Sequence, residues 1–167
     1  MASESDFETD PQGQLLEHIK GARCVMLGST HEGEHMQPMA PQVDTDLGQR
    51  VWFYSDNTSD LGKAVMESPG TVMATLVEKD YQACIRGRLV VEDDSSKIEH
   101  FWNPIAASWY PGGQNDPKML MLRFEPMDAQ VWVSTGNPVR FLYETVKANA
   151  TDTLPDVGTS GNVRMGA

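Results

Sequence analysis

Three stretches of this sequence hold residue types that could do chemistry. The first is His31-Glu32-Gly33-Glu34-His35. Two histidines four apart bind zinc when a helix puts both imidazoles on one face. Here Gly33 and the extended runs around it predict a hairpin turn, and no third ligand follows. The stretch reads as a solvated hairpin tip, and no metal site is expected. The second is Trp52-Phe53-Tyr54-Ser55-Asp56-Asn57-Thr58-Ser59. A strand ends there in hydroxyl and amide groups, and a helix starts just after. Strand-end N–H groups, hydroxyls and a helix N-terminus together make a corner that can hold an anion. The same residues also read as a plain helix cap by Thr58 or Ser59. The third is Trp102-Asn103-Pro104, then Trp109-Tyr110-Pro111-Gly112-Gly113, then Asp116-Pro117. Large aromatics beside a Gly-Gly loop can wall a flat ligand or form a subunit contact. Trp102 and Trp109 lie seven residues apart, so they also fit the core face of helical pieces.

Other chemistries leave no trace. There is no Gly-x-Ser-x-Gly elbow, no P-loop and no Gly-x-Gly-x-x-Gly after a strand. The charge balance is strongly acidic, with 13 Lys+Arg against 24 Asp+Glu and a net charge of −11. Nucleic acids and anionic membranes need clustered cations, so neither is an expected partner. An acidic chain that held a phosphate would have to do so with a few identifiable basic residues. The 40% hydrophobic content over 167 residues supports one domain with a real core. Cys24 and Cys84 sit in apolar runs and read as buried thiols in a reducing compartment. Residues 1–12 lack the basic and apolar regions of a secretory leader. No apolar run approaches membrane-spanning length. A cytoplasmic protein is expected.

The elements that must position these residues follow from periodicity and punctuation. Residues 1–12 read as a flexible acidic leader, 13–148 as the folded domain, and 149–167 as a flexible tail. Leu15, Leu16 and Ile19 recur at helical spacing up to Gly21. Strands are predicted at Cys24–Leu27, at His35–Val43 (weakened by Pro38 and Pro41), at Val51–Tyr54, at 71–78 and at 81–92. Helices are predicted over 60–67, from a Ser95 cap through Trp102, from Pro104 to Trp109, and over 138–148. Two further strands, Met119–Phe124 and Ala129–Val133, are expected to meet at a turn around Pro126. Six or seven strands without βαβ order predict an antiparallel barrel with appended helices.

The third stretch carries more than aromatic spacing. The run Trp102-Asn103-Pro104, four residues, Trp109-Tyr110-x-Gly112-Gly113-x-x-Asp116-Pro117, then Leu122-Arg123, Pro126, Ala129 and Trp132, is long and specific. It resembles the general stress protein branch of the pyridoxamine 5′-phosphate oxidase-like proteins. Earlier pieces agree in order: Val25-Met26-Leu27, Pro38-Met39, Val51-Trp52-Phe53-Tyr54-Ser55, Ser59, Pro69 and Ile85-x-Gly87. The resemblance spans roughly residues 13–147.

It implies a mainly β fold, a six-stranded antiparallel Greek-key split barrel of the FMN-binding type. It also implies a homodimer with FMN in a groove at the subunit interface. By the same resemblance, the strand holding Gln37, Pro38, Met39 and Gln42 would run beside the isoalloxazine ring. Phe53, Tyr54, Ser55 and Asp56 would form the strand end that approaches flavin and phosphate. Ser59 would contact the phosphate, and the loop carrying Trp109 would serve both interface and flavin wall. Two departures stand out. Members of this family commonly carry Arg where this chain has Gln37, and many carry Lys where it has Leu61. Losing two charged hydrogen bonds, at about 1 kcal/mol each, would weaken FMN binding ten- to a hundredfold. Lys63, Arg86 and Arg88 are the candidate substitutes, and a two-residue shift in register places Lys63 itself at the lysine position. The implied function is flavin-dependent oxidoreduction of a small molecule. The alternatives are a non-catalytic flavin-binding or sensing module, and a split barrel using deazaflavin or haem, with His35 as the suggestive axial ligand.

Overall fold

Strand β5 (Tyr81–Val91) shows why this sequence makes a barrel. Tyr81, Ala83, Ile85 and Leu89 are buried, while Arg86 and Arg88 between them face out. That period of two gives the strand one apolar face, which must be covered. The computed structural model describes residues 4–29, 35–151 and 153–166. Six strands form one antiparallel path: β2 (Gln37–Met39), β1 (Val25–Ser29), β4 (Gly70–Val77), β5, β6 (Met119–Ser134) and β3 (Val51–Asp56). A two-way backbone bridge joins Gln42, just past β2, to Trp52 on β3, with N···O distances of 2.8 and 2.9 Å. It brings the two ends of the path together and nearly closes the barrel, in agreement with the split-barrel expectation. The core lies inside, built from Leu27, Phe53, Ile85, Leu89, Leu122 and Phe124. Helix α2 (Pro11–Gly21) packs Leu15, Leu16 and Ile19 onto it.

Several expectations are corrected. Met119–Phe124 and Ala129–Val133 are one strand, not two joined by a turn. The register against β5 shifts at Arg86/Gly87, where Gly87 faces Pro126 and Arg86 faces Asp128. Met127 is the extra residue of a β-bulge, and a bulge accommodates a proline without a break in the strand. The expected tail holds strand β7 (Gly158–Arg164), paired with β6 from Asp128 to Ser134. Its residues are polar, and the open half-edge of β6 organises them. The expected leader is also partly ordered: α1 (Glu4–Thr9) precedes the Asp10 cap of α2, and Phe7 packs on the core. Asp94, not Ser95, caps α4 (Ser95–Phe101), accepting from the Ser96 N–H at 2.9 Å. Cys24, just before β1, is exposed, and Cys84, between the inward positions Ala83 and Ile85 of β5, is half-buried. His31–Glu34 of the two-histidine stretch lie outside the described residues; His35 is exposed. No group of three or more metal-ligating side chains occurs among the described residues. Among the described residues, no helix is long and apolar enough to cross a membrane.

Candidate functional site

The corner after β3 is built as a chain of local hydrogen bonds. The Asp56 carboxylate accepts from both the N–H and the hydroxyl of Thr58, each at 2.6 Å. The Asp56 carbonyl accepts from the Ser59 N–H at 3.1 Å and the Ser59 hydroxyl at 2.7 Å. Ser59 Oγ in turn accepts from the Gly62 N–H at 3.0 Å. Ser59 is therefore the N-cap of α3 (Asp60–Glu67), so the plain-cap reading of the sequence describes its bonding in the free chain. Its hydroxyl spends one donor and one acceptor inside the corner. Ser59→Ala is expected to destabilise the protein by about 1 kcal/mol, seen as a lower midpoint in denaturant unfolding.

The cations of the corner are Lys63 and Lys118. Thr58's two hydrogen bonds hold the Asp56 carboxyl below the usual carboxylate range, and the charges of Lys118 and Lys63 add to the effect. Both lysines are exposed, and neither forms an ion pair among the described residues. Sequence reasoning missed Lys118. It follows the Asp116-Pro117 pair of the aromatic motif, and the loop is pinned to the corner. The Asn57 N–H donates to the Lys118 carbonyl at 2.9 Å, and Asn57 Nδ2 donates to the Pro117 carbonyl at 2.7 Å. Leu61 is 8% exposed and belongs to the core. Its neighbour two residues on, Lys63, is the one that reaches solvent.

The aromatic motif supplies a wall beside the corner. Tyr54, Trp102 and Tyr110 contact one another, with ring centroids 5.9 to 6.4 Å apart. Tyr110 donates its hydroxyl to the Ser55 carbonyl at 2.9 Å, and Tyr54 donates to the Ile98 carbonyl at 2.8 Å. Burial pushes both phenols up to about 12, Tyr54 further raised by Tyr110, and Tyr110 by Asp56 and Asp116. Both therefore stay neutral donors across ordinary pH. Asn103 caps α5 (Pro104–Trp109) through the N–H groups of Ile105 and Ala106, and its amide donates to Gln42 Oε1 at 3.4 Å. Trp109 is 77% exposed and makes no ring contact with this wall.

The remaining expected site residues divide by face. Gln37, Gln42, Tyr54, Asp56 and Ser59 are part-exposed, and Pro38 is exposed. Met39 and Phe53 are core side chains, and Ser55 is buried. Only the backbones of these three positions remain to meet a ligand. The cavity described below is lined by none of these residues.

The sequence profile of proteins described as pyridoxamine 5′-phosphate oxidase like matches residues 10–156. This chain belongs to the pyridoxamine 5′-phosphate oxidase-like family. Solved structures agree with that membership. One, assigned as general stress protein 26 from Jannaschia sp. CCS1, is 30% identical with a TM-score of 0.77, over 98% of this chain and 100% of that one. A general stress FMN/FAD binding protein from Xanthomonas citri is 31% identical with a TM-score of 0.70, over 77% of this chain and 92% of that one. No curated protein matches the chain. Among oxidase-like proteins, this member resembles the general stress branch, as its aromatic motif implies.

Proposed function

We propose that this family member binds FMN in the groove beside the β3 corner and carries out flavin-dependent oxidoreduction of a small molecule. One observation carries the reading: the aromatic wall of Tyr54, Trp102 and Tyr110 is hydrogen-bonded to the strand end whose corner holds two unpaired lysines. A flat aromatic ring system joined to a phosphate needs both. The donor set fits FMN. Lys63 and Lys118 supply the charge that Gln37 and Leu61 do not. The α3 N-terminus adds its dipole. When bound, the flavin supplies hydride or electron transfer through its ring. The chain's own residues would bind and orient it: the lysines would hold the phosphate, Gln42 and the β2 backbone would contact the ring, and the aromatic wall would exclude water. Asn103 holds the Gln42 amide in place.

The proposed groove is completed by a second copy of the chain. Its support is the apolar surface left uncovered on one protomer: Ile105 and Trp109 on α5, and Val139, Leu142 and Val146 on α6 (Pro138–Thr151). A non-catalytic flavin-binding role is the second reading, favoured by the uncharged Gln37. NADPH- or NADH-driven bleaching of the bound flavin supports the first reading; flavin that binds without bleaching supports the second.

The test is a titration of FMN fluorescence with the purified chain, paired with light scattering. Quenching with micromolar affinity and a dimer mass are expected. FMN that keeps its free-solution fluorescence throughout overturns the flavin reading. A single 18.5 kDa species overturns the shared groove. Substituting both Lys63 and Lys118 by Ala is expected to weaken FMN binding about a hundredfold, at roughly tenfold per charged contact.

A further inference from the structure

A cavity lies at the opposite end of β3 from the corner, about 17 Å away along a six-residue strand. Its volume is about 580 Å³, within the range of small-molecule sites. Besides Arg88 on β5, three segments remote in sequence build it. The bulge supplies Pro126 and Met127, the turn before β3 supplies Leu47 to Arg50, and the chain after β7 supplies Met165 and Gly166. Hydrogen bonds tie the three together. The Met165 N–H donates to the Met127 carbonyl at 2.9 Å, and the Gly166 N–H donates to Gln49 Oε1 at 2.7 Å. The cavity is therefore a built feature, with its walls fixed by the same contacts that seat β7.

Its charge is unusual for this molecule. Arg50 and Arg88 both line it, and neither forms an ion pair among the described residues. Nearby acids are already committed. Asp128 clamps Arg86, and Glu125, which faces Arg88 across the β5–β6 ladder, pairs with Arg123 at 3.1 Å. Two guanidinium groups are thus left free in a chain with 24 carboxylates. With Glu125 also at the wall, the lining is positive by one charge. That balance suits a monoanion better than a dianion. The rest of the lining is largely apolar, with two methionines that can adapt to a ligand's shape.

We propose that this cavity is a second ligand site, for a small organic carboxylate with an apolar body, its charge held by the guanidinium forks of Arg50 and Arg88. Arginine matches a carboxylate with paired hydrogen bonds that a lysine cannot reproduce. In the single chain it lies at the far end of β3 from the corner proposed for the flavin.

The probe is benzoate, titrated into the full chain by calorimetry and by thermal unfolding, with benzamide as the uncharged twin and phenyl phosphate as the dianion. Benzoate is expected to bind saturably and raise the unfolding midpoint. Benzamide should not bind, and phenyl phosphate should bind more weakly. Arg50→Gln and Arg88→Gln are each expected to weaken benzoate about tenfold. Arg88→Lys should restore only part of the loss, and FMN affinity should stay unchanged in Arg50→Gln. The exposed positions of both arginines leave the fold intact in these variants, checked by their midpoints without ligand. Three results overturn the proposal. These are no saturable benzoate binding, equal binding of benzamide, or wild-type benzoate affinity in the double Gln variant. Tighter binding of phenyl phosphate overturns the choice of a carboxylate.

Discussion

Glu92→Ala should destabilise the barrel by about 3 kcal/mol, the low end of what removing one partner of a buried ion pair costs. Glu92 is 8% exposed, at the end of β5. Its Oε2 accepts from Trp52 Nε1 at 2.8 Å and from Arg123 Nη1 at 2.9 Å. Alanine would leave a buried indole N–H without an acceptor and the largely covered Arg123 guanidinium with Glu125 alone. Both lie on strands that frame the barrel closure, since Trp52 also bridges to Gln42. Glu92→Gln keeps an oxygen for the indole and should cost less. The two variants, compared by urea unfolding, separate the charge from the hydrogen bond. A pH dependence follows. Burial opposes ionisation of Glu92, but the bonds from Trp52, Arg123 and the Asp94 N–H outweigh it and lower its pKa. A carboxyl with a depressed folded pKa contributes stability that is present above its unfolded pKa and lost as pH falls through the folded one. The difference in stability between wild type and Glu92→Gln should therefore shrink on acidification below the ordinary glutamate range. A difference that stays constant through that range would contradict the ionised, bonded Glu92.

Gly62→Ala should strike the corner and the fold together. A Cβ at Gly62 would fall on the Asp56 carbonyl oxygen and 3.0 Å from Ser59 Oγ. That carbonyl is backbone and already accepts twice from Ser59, so no flexible side chain can move to relieve the contact. Either α3 shifts or the corner opens, and in both cases the Ser59 cap is lost. Overpacking and cap loss together should cost about 2 to 4 kcal/mol. FMN affinity should fall more than in Ser59→Ala, which leaves the backbone path intact. A Gly62→Ala protein with wild-type stability and FMN binding would show that the corner does not need this close approach.

The parts legible in the sequence are those whose reasons are local. The helix over 60–67 carries its own cap at Ser59 and its own apolar face, so its limits follow directly from the residues. Strands around 51–54, 71–78 and 81–92 announce themselves by β-branched and aromatic alternation. The missing parts depend on a partner. Pro126 looks like a strand terminator until Gly87 is placed across from it, because the bulge exists only in the pair. The β7 residues look loose because Gly158, Thr159, Ser160 and Gly161 have no apolar rhythm of their own. Lys118 escaped notice for a similar reason. Sixty residues separate Asn57 from Pro117, and only the folded hydrogen bond makes them neighbours. The aromatic motif named Trp102 and Tyr110, which contact each other and Tyr54, whereas its Trp109 is 77% exposed and shares no ring contact with them.

The two-partner edge of β6 has a consequence in time. Its first half is sealed by β3, which is synthesised before it, and its second half by β7, which comes after every other strand of the sheet. Between those events, Asp128 to Ser134 present bare backbone donors and acceptors. An open edge of that length is a template for another chain. Newly made protein is thus most open to self-association during the interval before residues 158–164 dock, and crowding of nascent chains decides how many pass through it safely.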